Sequence, residues 1–312
     1  MATEAIVRIS PAPEVVAQAQ HRRTIYTAVA DYWALTKPEI NFLIAIATFT
    51  GFYLGCAGRS GEFPFVLLIH TLLGTLLVAS GTGTLNQYFE RHFDAQMRRT
   101  ARRPLAAGRM QPSSALWFGI SLSTAGAAYL AIAVNLLACV LAVFTLLSYL
   151  VIYTPLKRKT PLCTLVGALP GAMPPLIGWA AASGRLSYEA WVLYIVLFLW
   201  QFPHFMAIAW MYRDDYDRAG YVMLPRGESR FRIASLQCIL PLLALFPISL
   251  APISAGHSGI FYSMAALLLS LYFFHRGTQF VLHRSNTAAR RLLVASIIYL
   301  PSLFVLMILL RG

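Results

Sequence analysis

The chain is 312 residues long, 58% hydrophobic and only 12% charged, whereas a soluble domain is about 45–50% apolar and about 25% charged. That excess excludes a soluble domain whose own core hides its apolar side chains, so lipid must cover much of the surface. The net charge of +13 comes in short clusters between long apolar runs, which is the pattern of membrane topology and not of a nucleic-acid-binding face.

In chain order, residues 1–30 are polar and mixed. They carry Glu4 and Glu14 and lack an early apolar run, so they read as neither a secretory signal nor a mitochondrial transit peptide. A flexible cytoplasmic tail is expected, ending in a short interfacial helix around 28–35. A membrane helix needs about 20 mostly apolar residues. Spans are expected at 39–57, 64–88, 114–133, 136–153, 163–181, 188–211, 233–253, 258–275 and 291–310. Pro38 suits a first helical turn. Pro203, Pro241 and Pro247 fall inside spans and should kink them. Cys56, Cys139, Cys163 and Cys238 lie in or beside apolar runs with no C-x-x-C pair, and read as small apolar helix residues rather than a disulfide or metal set.

With the N-terminus inside and nine spans, all but Arg59, Arg185 and Arg311 of the 25 Lys and Arg fall on inner segments. This asymmetry follows the positive-inside rule and places the C-terminus outside. The two longest connections, 89–113 and 212–232, are then both cytoplasmic, and they hold half of the chain's 12 acids.

Those acids are patterned. Asn86, Glu90 and Asp94 are spaced i, i+4, i+8, which on a helix lines them along one face over about 12 Å. They stand at the inner end of the second span. Asp214, Asp215 and Asp217 follow Tyr212 at the inner end of the sixth. Oxygen ligands of this kind suit Mg²⁺, which binds through a few carboxylates and completes its shell with water and substrate phosphates. Two such clusters could hold a diphosphate through metal acting as a Lewis acid on the leaving group. A diphosphate also needs cationic donors. Lys37, Lys157 and Arg158 are the candidates at span ends, while most other cations read as topology determinants. His204, inside the sixth span, is an intramembrane ionisable group and so a candidate substrate contact; a histidine bonded within the bundle is the alternative. Trp200, Phe202, Phe205, Trp210 and Tyr212 surround it in sequence, as a shield for a carbocation, a stacking surface or an interfacial belt.

These residues are similar to a known pattern. Asn86-x3-Glu90-x3-Asp94 resembles the first acidic motif of UbiA-type intramembrane prenyltransferases, and Tyr212-x-x-Asp215 the start of their second. Further strings resemble the haem-farnesylating branch. They include Leu35-Thr36-Lys37-Pro38, Met97-Arg98-Arg99-Thr100, Arg103-Pro104-Leu105, Gly171-Ala172-Met173-Pro174-Pro175 and Gly178-Trp179. The longest is Trp200-Gln201-Phe202-Pro203-His204-Phe205, followed by Asp215-Tyr216, Ala219-Gly220 and Met223-Leu224-Pro225. Glu90 stands where the family commonly has aspartate, a variant with longer reach. Ala219 stands where the superfamily often has another aspartate; members of the haem branch commonly read D-Y-x-x-A-G there, so this departure favours the branch.

The resemblance implies an all-α polytopic fold of about nine helices around a central cavity open to the cytoplasmic side. It implies one prenyltransferase domain over 31–312 in a bacterial cytoplasmic (inner) membrane. The implied reaction is Mg²⁺-dependent farnesyl transfer from farnesyl diphosphate to haem b, giving haem O. The product would pass to a haem A synthase or to terminal oxidase assembly factors. Asn86, Glu90, Asp94 and Asp215 are the implied metal-holding and catalytic residues. Lys37, Arg99, Arg103, Lys157, Arg158, His204 and Tyr212 are the implied substrate-binding residues, with Arg102, Arg103 or Arg226 facing the haem propionates and Asp214 or Asp217 assisting the second metal. Two other readings stay open: a prenyltransferase of the same fold acting on a quinone or chlorophyll precursor, and a haem-handling transporter without catalysis.

Overall fold

The computed structural model describes residues 25–56, 61–224, 227, 229–251 and 259–310, and these form helices without strands. A short α1 (Ile25–Leu35) precedes α2 (Pro38–Gly55), α3 (Phe65–Asp94), α4 (Pro112–Ala133) and α5 (Leu136–Leu147). The chain continues through α6 (Cys163–Gly171), α7 (Pro174–Ser183), α8 (Tyr188–Met211) and the short α9 (Arg213–Arg218). It closes with α10 (Ser229–Leu250), α11 (Gly259–His283) and α12 (Asn286–Leu309). Of the expected tail, 1–24 lie outside the described residues and 25–30 belong to α1.

Among the described residues, seven stretches are long and apolar enough to cross a membrane: α3, α4, α5 with its extension to Leu156, α6 with α7, α8, α10 and α12. Helices α2 and α11 run beside them at 18 and 25 residues. The count of seven rests on length and composition, and the expected nine is matched only when α2 and α11 are added.

Local sequence explains the breaks. Pro38, Pro112 and Pro174 each open a helix, where the missing N–H is one the first turn leaves unbonded anyway. Pro174 also separates α6 from α7, because it has no N–H to donate to the Pro170 carbonyl one turn back, while Met173 before it keeps helical angles, φ −69 and ψ −29. Gln201 of α8 donates to the Ala168 carbonyl at 3.2 Å beside that break. The end of α5 widens into a π turn, Ser148–Tyr153, before a final α turn, Thr154–Leu156. Pro155 in that last turn removes a backbone donor, and just before it the Thr154 N–H and hydroxyl both donate to the Tyr149 carbonyl, the hydroxyl at 2.9 Å.

Helices α2 and α7 approach until backbones touch. A Cβ on Gly51 would strike the Pro175 carbonyl, and one on Gly178 the Thr48 carbonyl. Small residues permit such contact where lipid gives no hydrophobic drive to helix association. The buried core, including Phe52, Leu176, Leu193, Phe273, Tyr299 and Phe304, fills the centre of the bundle. Large apolar side chains such as Trp117, Ile132, Phe261 and Leu309 face outward, as expected of a surface covered by lipid.

Candidate active site

Helix α3 is the frame. It continues two turns past its most apolar stretch, carrying Asn86, Glu90 and Asp94 on one face, and all three are buried. Each meets a cation from a different element. Lys37 Nζ donates to Asn86 Oδ1 at 3.0 Å, Lys157 Nζ to Glu90 Oε1 at 2.8 Å, and Arg103 Nη1 to Asp94 Oδ2 at 2.7 Å. The remaining Asn86 amide donates to Thr154 Oγ1 at 3.3 Å. Asp94 Oδ1 is left buried with no partner.

The second acidic cluster closes on the first. The Arg99 backbone N–H donates to Asp215 Oδ2 at 3.3 Å, and Arg218 Nη1 to Asp215 Oδ1 at 3.0 Å. The Arg99 guanidinium lies 5.0 Å from the Tyr212 ring centre and donates to the Tyr216 hydroxyl at 3.2 Å. Thus the connection after α3 binds α9, and the two motifs, more than 100 residues apart, share one end of the bundle. Of the three aspartates, Asp215 turns inward; Asp214 is 81% exposed, and Asp217 pairs with Arg230 at 2.7 Å.

The cations are held by unusual means. Lys37 has φ 52 and ψ 63, a left-handed conformation that is costly for a residue with a Cβ. It turns the chain sharply between α1 and α2 and sends the ammonium to Asn86. Burial, then the Arg103 and Lys157 charges, lower its pKa from 10.5 to about 7. For Lys157 burial opposes the charge, but Tyr153 and Glu90 outweigh it and hold the pKa well above its ordinary value. Its ammonium stands 4.6 Å from the Tyr153 ring centre, within cation–π range. Arg158 lies 4.2 Å above Phe93.

The structure therefore gathers Lys37, Asn86, Glu90, Asp94, Arg99, Arg103, Lys157, Arg158, Tyr212 and Asp215. It sets His204 apart: its Nδ1 bonds Ser296 Oγ of α12 at 2.8 Å and its ring stacks on Trp200 at 4.6 Å. Arg226 lies outside the described residues. Arg218, Thr154, Tyr153 and Tyr221 were absent from the sequence expectation. The one-turn spacings Tyr153–Lys157 and Asp215–Arg218 were the signals that could have found two of them.

Among the described residues, no three His, Cys, Asp or Glu side chains converge closely enough to hold an ion by themselves. The donor set nevertheless fits a hard cation: one amide and three carboxylates, all oxygen, with an unsatisfied carboxylate oxygen on Asp94. An ion that draws part of its shell from water and phosphate needs no all-protein cage.

Residues 42–304 match the UbiA prenyltransferase family. The chain is 48% identical over 285 residues to "Protoheme IX farnesyltransferase" of Solibacter usitatus, covering 89% of this chain and 98% of that one. In fold it resembles a structure described under digeranylgeranylglyceryl phosphate synthase, with a TM-score of 0.69 at 15% identity, covering 90% and 97%. It also resembles a UbiA homologue of Archaeoglobus fulgidus bound to GPP and Mg²⁺, with a TM-score of 0.58 at 13% identity, covering 89% and 99%.

Proposed function

The chain belongs to the UbiA prenyltransferase family, and on that premise we propose that it transfers the farnesyl group of farnesyl diphosphate to a vinyl group of haem b, with addition of water, to give haem O. The observation that carries this reading is the interleaving of buried acids and cations around the unpartnered Asp94 oxygen. Such a cluster offers both halves of a metal–diphosphate site. The acceptor is supported by the 48% identical relative, matched along 98% of its length.

Asn86, Glu90, Asp94 and Asp215 would hold Mg²⁺, which supplies charge neutralisation to the leaving diphosphate oxygens. Lys37, Lys157, Arg99, Arg103 and Arg158 would stabilise charge that grows on those oxygens as the C–O bond breaks. The electron pair of that bond leaves with diphosphate. The vinyl π pair then forms the new C–C bond, water adds to the adjacent cationic carbon, and that water loses a proton. Tyr149, Tyr153 and Phe93, close to the cations, present π faces to a positive intermediate and keep water from it. His204 and Arg102 are proposed haem contacts.

The same reading proposes a single domain over 31–312 in a bacterial cytoplasmic membrane, with the acidic end inside and the C-terminus outside. Its haem product would be consumed by a haem A synthase or by oxidase assembly factors. The test is direct: purified protein, farnesyl diphosphate, haem b and Mg²⁺, with the pigment analysed by mass. Haem O should form and chelation should stop it. Diphosphate release with a quinone precursor alone would move the acceptor assignment, and no product with either would overturn the reading.

A further inference from the structure

Tyr221 sits between α9 and α10, just after Gly220, whose φ of +71 lets the chain turn back. Its backbone N–H donates to the Tyr216 carbonyl at 2.9 Å, and the next residue, Val222, donates to the Lys157 carbonyl at 2.7 Å. These bonds pin the segment against the cation that serves Glu90. The ring packs edge-on to Phe93 at 5.9 Å and to Tyr216 at 6.1 Å, and the residue is 4% exposed. Its hydroxyl makes no hydrogen bond of good geometry, although Glu90 stands near enough to act on it both as a charge and as a weak acceptor, and it also lies in the field of Lys157 and Asp94.

A buried hydroxyl without a partner is costly. Among the described residues, the only other such atom in this cluster is Asp94 Oδ1. One is a donor and the other an acceptor. A ligand that satisfies both must bring acceptor oxygens and a cation together. A tyrosine phenol has an ordinary pKa of about 10, so it is a neutral O–H donor in the working range.

We propose that Tyr221 is a further substrate-binding residue whose hydroxyl donates to a diphosphate oxygen of the prenyl donor and of the released product. The inference rests on the proposed transfer reaction, and it adds a neutral donor to a site built mostly of charges. A neutral donor holds the anion without deepening the repulsion among the cations.

Tyr221→Phe keeps the ring and removes the donor. Loss of one hydrogen bond to a charged ligand should raise the inhibition constant of inorganic diphosphate and the KM for farnesyl diphosphate by about tenfold or more, leaving the KM for haem b unchanged. A structural role would instead lower the melting temperature and leave the diphosphate constant alone, which would overturn the inference. If the variant fails to accumulate, 3-fluorotyrosine placed at 221 in the full-length protein reports the same contact. Its fluorine resonance should shift when diphosphate and Mg²⁺ are added, and an unmoved resonance overturns the inference. Wild-type protein that binds no diphosphate defeats the parent reading as well; wild-type binding with an unaffected Tyr221→Phe defeats this one alone.

Discussion

Replacing Lys157 by methionine tests the site through its most enclosed ion pair. The side chains of Lys157 and Glu90 are 12% and 8% exposed and meet at 2.8 Å. Methionine fills similar volume, so the change leaves Glu90 as a buried carboxylate without its cation. Breaking a buried pair from one side costs about 3–5 kcal/mol, a large share of a typical net stability of about 5–15 kcal/mol. The midpoint of thermal unfolding in detergent should fall by roughly ten degrees. Adding Glu90→Leu removes the stranded charge as well, and an apolar pair of similar volume is often as stable as the ions it replaces. The double variant should therefore melt well above the single one. Prenyl transfer should be lost in both, because stability returns but the groups that would hold metal and diphosphate do not. Melting curves and a mass-based haem assay on the same preparations separate these outcomes. A single variant that melts with wild type, or a double variant no more stable than the single one, would refute the reasoning.

Asp94→Asn should lower transfer by about a hundredfold or more, the scale for removing a preorganised charge-stabilising group, while membrane insertion and yield stay near wild type. Lys37 has a folded-state pKa of about 7 against 10.5 unfolded, so below pH 7 it is charged in both states and its burial cost is fully present. Between pH 7 and 10.5 the unfolded chain binds the extra proton, and stability should rise with pH across that window; Lys37→Met should flatten the rise in melting temperature. Gly178→Ala drives a Cβ into the Thr48 carbonyl, and overpacking of this kind costs about 1–3 kcal/mol, readable as a lower midpoint with donor affinity little changed. Tyr221→Phe should weaken diphosphate selectively, as argued above.

The sequence by itself determined the class of the protein and most of its site. Apolar runs of about 20 residues leave few choices but membrane helices, because an unpaired backbone group in lipid is too costly. The i, i+4, i+8 spacing put Asn86, Glu90 and Asp94 on one face of α3 for the same reason that any helix repeats every 3.6 residues. Both inferences rest on local periodicity, which the chain carries within itself. The span count was only partly legible: among the described residues, α2 and α11 do not combine the length and apolarity that seven other stretches have. Periodicity also could not reveal that α6 and α7 are separate helices, or that a π turn precedes Lys157.

Only the tertiary structure decided the pairings. Lys37 with Asn86, Lys157 with Glu90 and the Arg99 backbone with Asp215 join residues 49, 67 and 116 positions apart, and no local rule selects such partners. It also turned Asp215 inward while leaving Asp214 in the open, a choice made by where α9 meets the Arg99 connection. His204 shows the same limit: the sequence left open a substrate contact or a histidine bonded within the bundle, and only packing showed its ring against Trp200 and its Nδ1 on Ser296. Tyr221 carried no signal at all, because a lone aromatic after a glycine is ordinary until the fold buries its hydroxyl beside Glu90.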